Sequence, residues 1–138
     1  MASTAELGAL TSHNGTSFVL PTFNEGASIR SVIESLLHLG TTHPHDILIV
    51  DDDSRDGTPD LVRALARQDP RIRINQRVGR SGLASATKEG LIAALYPIAV
   101  VMDSDGQHEP ASVGEAVQLL DQEGLDLVAG SRFLDHSE

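Results

Sequence analysis

Short apolar runs alternate along this chain with stretches whose apolar residues recur every three to four positions, a pattern that predicts alternating strands and helices. Ser17–Leu20 predicts a short first strand. The next helix carries Ile29, Val32, Ile33, Leu36 and Leu37 on one face, and Gly40 is its expected stop. A loop over Thr41–His45 leads to a buried second strand, Asp46–Val50. Thr58 as N-cap and Pro59 at the first helical position open a second helix, with Leu61, Val62 and Leu65 inward. Arg71–Ile74 alternates charged and apolar residues, as a strand near a sheet edge does. The glycine-rich turn Gly79–Gly82 leads into a helix expected to bury Leu83, Leu91, Ile92 and Leu95. A fourth strand spans Ile98–Met102, Glu109-Pro110 opens a helix with Val113, Val117 and Leu120 inward, and Leu125–Ala129 predicts a fifth strand. Alternation at this spacing predicts a three-layer α/β/α fold with a mostly parallel sheet.

The 138 residues suffice for one domain with a core and not for two. Residues 1–16 are small and polar and read as a flexible leader; residues 17–138 read as a single domain. Nothing closes the fold after the fifth predicted strand, so the domain is expected to be incomplete at its C-terminus. Twenty acids against ten bases give a net charge of −10, which excludes the basic stripe that phosphodiester backbones require, so no nucleic-acid partner is expected. The lack of cysteine rules out disulfides and thiolate sites and fits a cytoplasmic protein. Leu91–Met102, the longest nonpolar stretch, is interrupted by Pro97 and too short to span a bilayer.

The candidate chemistry lies at the predicted strand ends. Asp103-Ser104-Asp105 places two carboxylates one residue apart after a buried strand, and a hard divalent cation (Mg²⁺ or Mn²⁺) is the usual compensation for their repulsion. Gln107 offers a further oxygen, whereas the imidazole of His108 is a poorer match. Asp51-Asp52-Asp53-Ser54 follows the second strand with more acids than a helix cap needs. Leu20-Pro21-Thr22-Phe23-Asn24-Glu25 follows the first: Phe23 suits stacking on a base, and Glu25 sits at a positive helix end. Each segment also has a plainer reading, as a helix start or a solvated loop. Asp56-Gly57 reads as a turn, and His43 and His45, flanking Pro44, read as surface residues. Gly79-Arg80-Ser81-Gly82 lacks the Gly-Lys-Ser/Thr of a phosphate loop. Arg132, beyond the fifth predicted strand, could pair with the phosphates that the cation holds.

In order, the segments Val19–Glu25, Ile49–Ser54 with Asp56-Gly57-Thr58, Gly82-Leu83, Val101–Asp105 and Val128–Phe133 resemble the family-2 glycosyltransferases of the GT-A fold. Within that family the resemblance is to the dolichol-phosphate mannosyltransferases and other polyprenyl-phosphate hexosyltransferases. It implies a Rossmann-like nucleotide-binding half and inverting transfer of a hexose from a nucleotide sugar such as GDP-mannose or UDP-glucose. A lipid phosphate is the implied acceptor, with association at the cytoplasmic face of a membrane. Pro21, Phe23, Glu25, Val50, Asp52, Ser104 and Arg132 would then contact the donor. Asp103, Asp105 and Gln107 would bind the metal, and Asp105 and Arg132 would serve catalysis. The chain departs from the family pattern with Phe23 where Tyr is usual and Asp53 where Gly or Asn is common. Ser81-Gly82-Leu83-Ala84 matches the usual glycine-rich turn only in part.

Two other classes share pieces of this pattern. A receiver-type phosphoacceptor domain has a similar acidic pocket, but it begins at the acid-bearing strand and needs a lysine after its fifth strand. Here a strand–helix unit comes first, and Lys88, the one lysine, precedes Asp103. An Asp-nucleophile phosphohydrolase could use Asp103 and Asp105, but it wants a downstream lysine and a further acidic pair. A pure binding module also stays open.

Overall fold

Phe18-Val19-Leu20 and Ile47-Leu48-Ile49-Val50 are apolar without alternation, which suits strands covered on both faces. The computed structural model, which describes residues 15–39, 43–107 and 109–131, bears this out. Its strands are β1 (Thr16–Thr22), β2 (His45–Asp51), β3 (Ile72–Gln76) and β4 (Ile98–Val101), and its helices α1 (Ile29–Leu37), α2 (Thr58–Gln68), α3 (Leu83–Ile92) and α4 (Pro110–Gln122). They alternate in sequence and build one parallel sheet of order β3-β2-β1-β4. Phe18, Leu20, Ile47 and Ile49 face one layer, where Ile29, Val32, Ile33, Leu36, Val62, Leu65 and Val113 of α1, α2 and α4 close the main core. Val19, Leu48 and Val50 face the other, beneath Ala86 of α3. Full burial of an aliphatic side chain contributes about 1.5–3 kcal/mol, so this two-sided burial is the main stabilising force.

The strand order has a consequence for function. β2 and β3 add successively on one side of β1, and then the chain returns across the sheet to place β4 on the other side. Right-handed crossovers in opposite directions lay their helices on opposite faces. The order therefore reverses between β1 and β4, and the crevice beyond the C-terminal ends of those two strands is where parallel α/β sheets bind ligands.

Several local expectations are corrected. α3 rests on the sheet through its small residues, Ala86 and Gly90, not through leucines. Leu83 is 65%, Ile92 76% and Leu95 63% exposed, and Leu91 is 44% exposed. A Cβ on Gly90 would lie 2.2 Å from Val19 Cγ1, so only glycine permits this close approach. Leu125–Ala129 is irregular instead of a fifth strand, with Leu127 80% exposed. No described segment pairs with the outer edge of β4, and an unpaired segment has no ladder to hold it. β1 begins at Thr16, inside the predicted leader, and extends to Thr22. Pro21 is tolerated there because its imide side faces β4 beyond the last paired residue, Val19. His45 is the first residue of β2 and is buried, its ring edge-on to Phe18 at 5.9 Å, so it is not a surface histidine. Thr58 is the first residue of α2, not its cap. Gly40, Thr41, Thr42, His108, Arg132 and residues 1–14 lie outside the described residues.

The N-terminal end of the sheet is pinned by Asp46, which is buried and accepts hydrogen bonds from Ser17 Oγ (2.6 Å) and Arg73 Nε (2.7 Å). Ser17 Oγ in turn accepts the N–H groups of Leu95 and Tyr96. This network lies at the opposite end of the strands from the candidate site.

Candidate active site

Parallel strands deliver their following loops to one edge, and here four loops meet. The loops after β1 and β2 are cross-linked. Ser54 Oγ donates to Asp51 Oδ2 (2.6 Å) and accepts the Asn24 N–H (2.8 Å), while Asn24 Oδ1 accepts the Arg55 N–H (3.0 Å). Gly26 N–H donates to Asp56 Oδ2 at 2.9 Å. The hydroxyl of Thr58, with the N–H groups of Gly26 and Thr58, holds the Asp56 carboxyl below its usual pKa. Asp56 thus accepts the first N–H of α2 and also ties that helix to the β1 loop.

The three consecutive acids have three different tasks. Asp51 is buried, and both its oxygens accept hydrogen bonds from Ser54. Asp52 turns toward the Gly79–Gly82 turn: Oδ2 accepts the Gly82 N–H (2.8 Å) and Oδ1 lies 2.9 Å from Arg77 Nη1. Asp53 takes a left-handed backbone, φ 59°, and accepts a hydrogen bond from Gln76 Nε2. That conformation explains why Gly or Asn suits this position, since both enter the left-handed region more easily than other residues. Asn24, φ 51°, is the other described non-glycine residue with positive φ.

The loop after β4 closes the crevice against the β1 loop. Ser28 Oγ donates to the Ser104 carbonyl (2.7 Å), and Ser104 Oγ lies 3.4 Å from the Pro21 carbonyl. Ser104 is therefore buried and turned inward, while Asp103, Asp105 and Gln107 are exposed on the rim. Asp105 Oδ1 accepts the Gln107 N–H at 2.9 Å. In the β1 loop Phe23 is 61% exposed, its ring available for stacking, and Glu25 accepts the Ser28 hydroxyl at 3.2 Å. Val50 is fully buried under α3, so its side chain belongs to the core.

Pro21, Phe23, Glu25, Asp52, Asp103, Ser104, Asp105 and Gln107 thus all fall at the C-terminal edge of the sheet. No described group of three or more His, Cys, Asp or Glu side chains surrounds a common point. Two exposed carboxylates with open valences suit a Mg²⁺-type ion, which keeps waters and substrate phosphates among its ligands. The residues present fit such an ion. An apolar groove of about 590 Å³ lies elsewhere, on the outer face of α3 against Ala84, Thr87, Lys88, Leu91 and Ile92.

Sequence patterns did not point to Arg77, which is 1% exposed and directly behind Asp52. An arginine following an edge strand carries no periodic signal. The clue was positional: a base one residue past β3 beside acids one residue past its neighbour β2.

A family model described as Glycosyl transferase family 2 matches residues 17–138. The chain belongs to that family. The family-2 chain is 35% identical over 123 residues to polyprenol monophosphomannose synthase of Mycolicibacterium smegmatis, covering 86% of this chain and 45% of that protein. It is 36% identical over 118 residues to undecaprenyl-phosphate mannosyltransferase of Micrococcus luteus, covering 83% and 46%. It therefore spans less than half the length of these relatives. Among solved structures, it resembles glucosyl-3-phosphoglycerate synthase from Mycobacterium tuberculosis with Mn²⁺, UDP and glucosyl-3-phosphoglycerate (TM-score 0.65, 30% identity, covering 87% of this chain and 44% of that one). It also resembles the mannosyltransferase PcManGT from Pyrobaculum calidifontis in complex with GDP-Man and Mn²⁺ (TM-score 0.64, 27% identity, covering 76% and 32%). The parallel α/β/α layering is that of the GT-A glycosyltransferases. Among the described residues no helix is long and apolar enough to cross a membrane.

Proposed function

We propose that this chain is the donor-binding part of an inverting hexosyltransferase that moves a hexose from a nucleoside diphosphate sugar to a polyprenyl phosphate. The observation that carries the reading is the position of exposed Asp103 and Asp105 after β4 and of Phe23 and Glu25 after its neighbour β1, where the strand order reverses. Phe23 and Pro21 would pack on the nucleoside, and Glu25 and Asp52 would accept its hydrogen bonds. Asp103, Asp105 and Gln107 would hold Mg²⁺ or Mn²⁺, which supplies Lewis-acid stabilisation of the charge on the departing nucleoside diphosphate. Arg132, outside the described residues, would pair with phosphate or sugar. A polyprenyl phosphate is anionic near neutral pH and would attack the anomeric carbon without a general base. The similarity to a mannosyltransferase solved with GDP-Man makes GDP-mannose the first donor to try. Association with a membrane face would follow from a lipid acceptor.

The test is calorimetric titration of GDP-mannose and UDP-glucose, with Mn²⁺ and with chelator. Metal-dependent binding of one donor, abolished by Asp103→Ala or Asp105→Ala in a folded chain, is the expected result. Binding of neither donor, with an aspartyl phosphate formed from acetyl phosphate, would replace this reading with a receiver domain.

A further inference from the structure

A guanidinium stays charged at any physiological pH, so a buried one must be matched by its surroundings. Arg77 is 1% exposed and reaches three segments at once. Nη1 lies 2.9 Å from Asp52 Oδ1 and donates to the Gly82 carbonyl at 3.2 Å. Nη2 donates to Ser85 Oγ at 2.6 Å. Nε lies 3.5 Å from Glu89 Oε1, whose other oxygen is 3.1 Å from Arg80 Nη2. The Arg77 N–H donates to the Asp51 carbonyl at 2.7 Å.

The Gly82 peptide is consequently gripped on both sides: Asp52 takes its N–H and Arg77 its carbonyl. Gly82 also has φ 123°, a conformation that suits glycine alone. Arg77 thus links Asp52, the turn and Ser85 in the first turn of α3. A buried ion pair is a poor stabiliser compared with apolar packing of the same volume, so what this one contributes is geometry. We propose that Arg77 is a positioning residue for the donor nucleoside: it fixes the Asp52 carboxylate and the Gly79–Gly82 turn as a preformed wall of the pocket without itself touching the nucleotide. The proposal rests on the nucleotide-sugar reading of Asp52. Preformed walls raise affinity by removing the ordering cost from the binding step. Lysine keeps the charge but, as a flexible point donor, cannot span Asp52, Gly82 and Ser85 in one plane.

The experiment compares the full chain with Arg77→Lys and Arg77→Met by thermal melting, by hydrogen exchange at the Gly82 amide, and by titration of GDP and UDP with Mn²⁺. Arg77→Met strands the Asp52 charge and can unfold the chain, so Arg77→Lys carries the decision. Folded Arg77→Lys is expected to expose the Gly82 amide to exchange and to weaken nucleotide binding by about tenfold or more. In an Asp52→Ala background the same change should add little further loss, because the carboxylate it positions is gone. A folded Arg77→Lys with affinity within about twofold of wild type would overturn the proposal, leaving Arg77 a stability device. If wild type binds neither nucleotide, the functional reading fails first. The clamp is then judged at the Gly82 amide alone, and unchanged protection in Arg77→Lys would overturn it.

Discussion

Two glycines in two helices should respond oppositely to the same methyl group. In α3, a Cβ on Gly90 would lie 2.2 Å from Val19 Cγ1 and 3.1 Å from Val50 Cγ2. Carbon atoms prefer separations of about 3.5–4.0 Å, so the helix or the valines must yield by more than ~1 Å. Both valines are fully buried on central strands, where β-branched side chains have little rotamer freedom. Overpacking of this kind costs about 1–3 kcal/mol, against a helix-propensity gain of about 1 kcal/mol for Gly→Ala. With two valines in the way the upper end applies, and Gly90→Ala should lose about 1–2 kcal/mol net. In α4, by contrast, a Cβ on Gly114 meets nothing within 4 Å. Gly114→Ala should therefore gain close to the propensity value, about 1 kcal/mol. Thermal unfolding followed by circular dichroism would show the two midpoints moving in opposite directions, with Tm shifts of roughly 3–5 °C per kcal/mol. Val19→Ala combined with Gly90→Ala should be less destabilised than the sum of the single changes, because the small residue makes room. A Gly90→Ala variant as stable as wild type would refute the close packing of α3 on the sheet.

Three further outcomes test other parts of the structure. Asp53→Asn should leave stability within about 0.5 kcal/mol of wild type, whereas Asp53→Ala should cost about 1 kcal/mol in urea unfolding, because alanine is disfavoured at a left-handed position. Asp46→Asn should destabilise by about 2–3 kcal/mol by breaking the buried contact with Arg73, yet leave nucleotide affinity in a titration unchanged, since it lies at the far end of the sheet. Asp56 has a folded pKa below its unfolded one, so its contribution is present above the unfolded value and is lost as pH falls through the folded value. The stability gap between wild type and Asp56→Ala in urea melts should accordingly narrow on acidification, and a gap that widens toward acid would contradict the hydrogen bonds assigned to Asp56.

The elements legible from the chain were those where hydrophobicity and period report the same thing. β2 is apolar throughout because it lies centrally and is covered on both faces, and α1 shows Ile29, Val32, Ile33 and Leu36 at helical spacing because that face is buried. α3 misled because periodicity weighs apolar bulk, whereas the approach of a helix to a sheet is limited by its smallest face. Ala86 and Gly90, four residues apart, formed that face while the leucines stayed outside. The strand ends carrying Asp52, Asp103 and Asp105 were legible because acids immediately after apolar runs lie at the end of the strands. β4 is nonetheless not the buried strand its apolar run predicts, since it stands at the sheet edge and only Ile98 of it is buried. Arg77 was not, because its burial depends on Asp52, Gly82, Ser85 and Glu89 converging from three segments, and no local pattern encodes that convergence.

Under the proposed function the crevice has a nucleoside half and a phosphate half, and the two differ in how completely they are built before a ligand arrives. In the first, Asn24 and Asp53 hold left-handed conformations that their residue types tolerate better than most, and Ser54, Arg55 and Gln76 hydrogen-bond them in place. Asp52 is held by Gly82 and Arg77. On the phosphate side, Asp103 and Asp105 stand exposed one residue apart, and their loop is tied to the β1 loop through Ser28 and Ser104. A cation bound there would relieve their mutual repulsion. Under the proposed function, recognition of the base then depends on folding alone, and recognition of the diphosphate depends on metal. Guanosine or uridine, whichever base the site accepts, should bind weakly and with the same affinity in Mn²⁺ as in chelator. The matching nucleoside diphosphate should gain at least about tenfold from Mn²⁺. Nucleoside binding that also vanished with chelator would mean that the metal organises the base-binding loops, and the cross-links between the β1 and β2 loops would then not suffice to preform that half of the site.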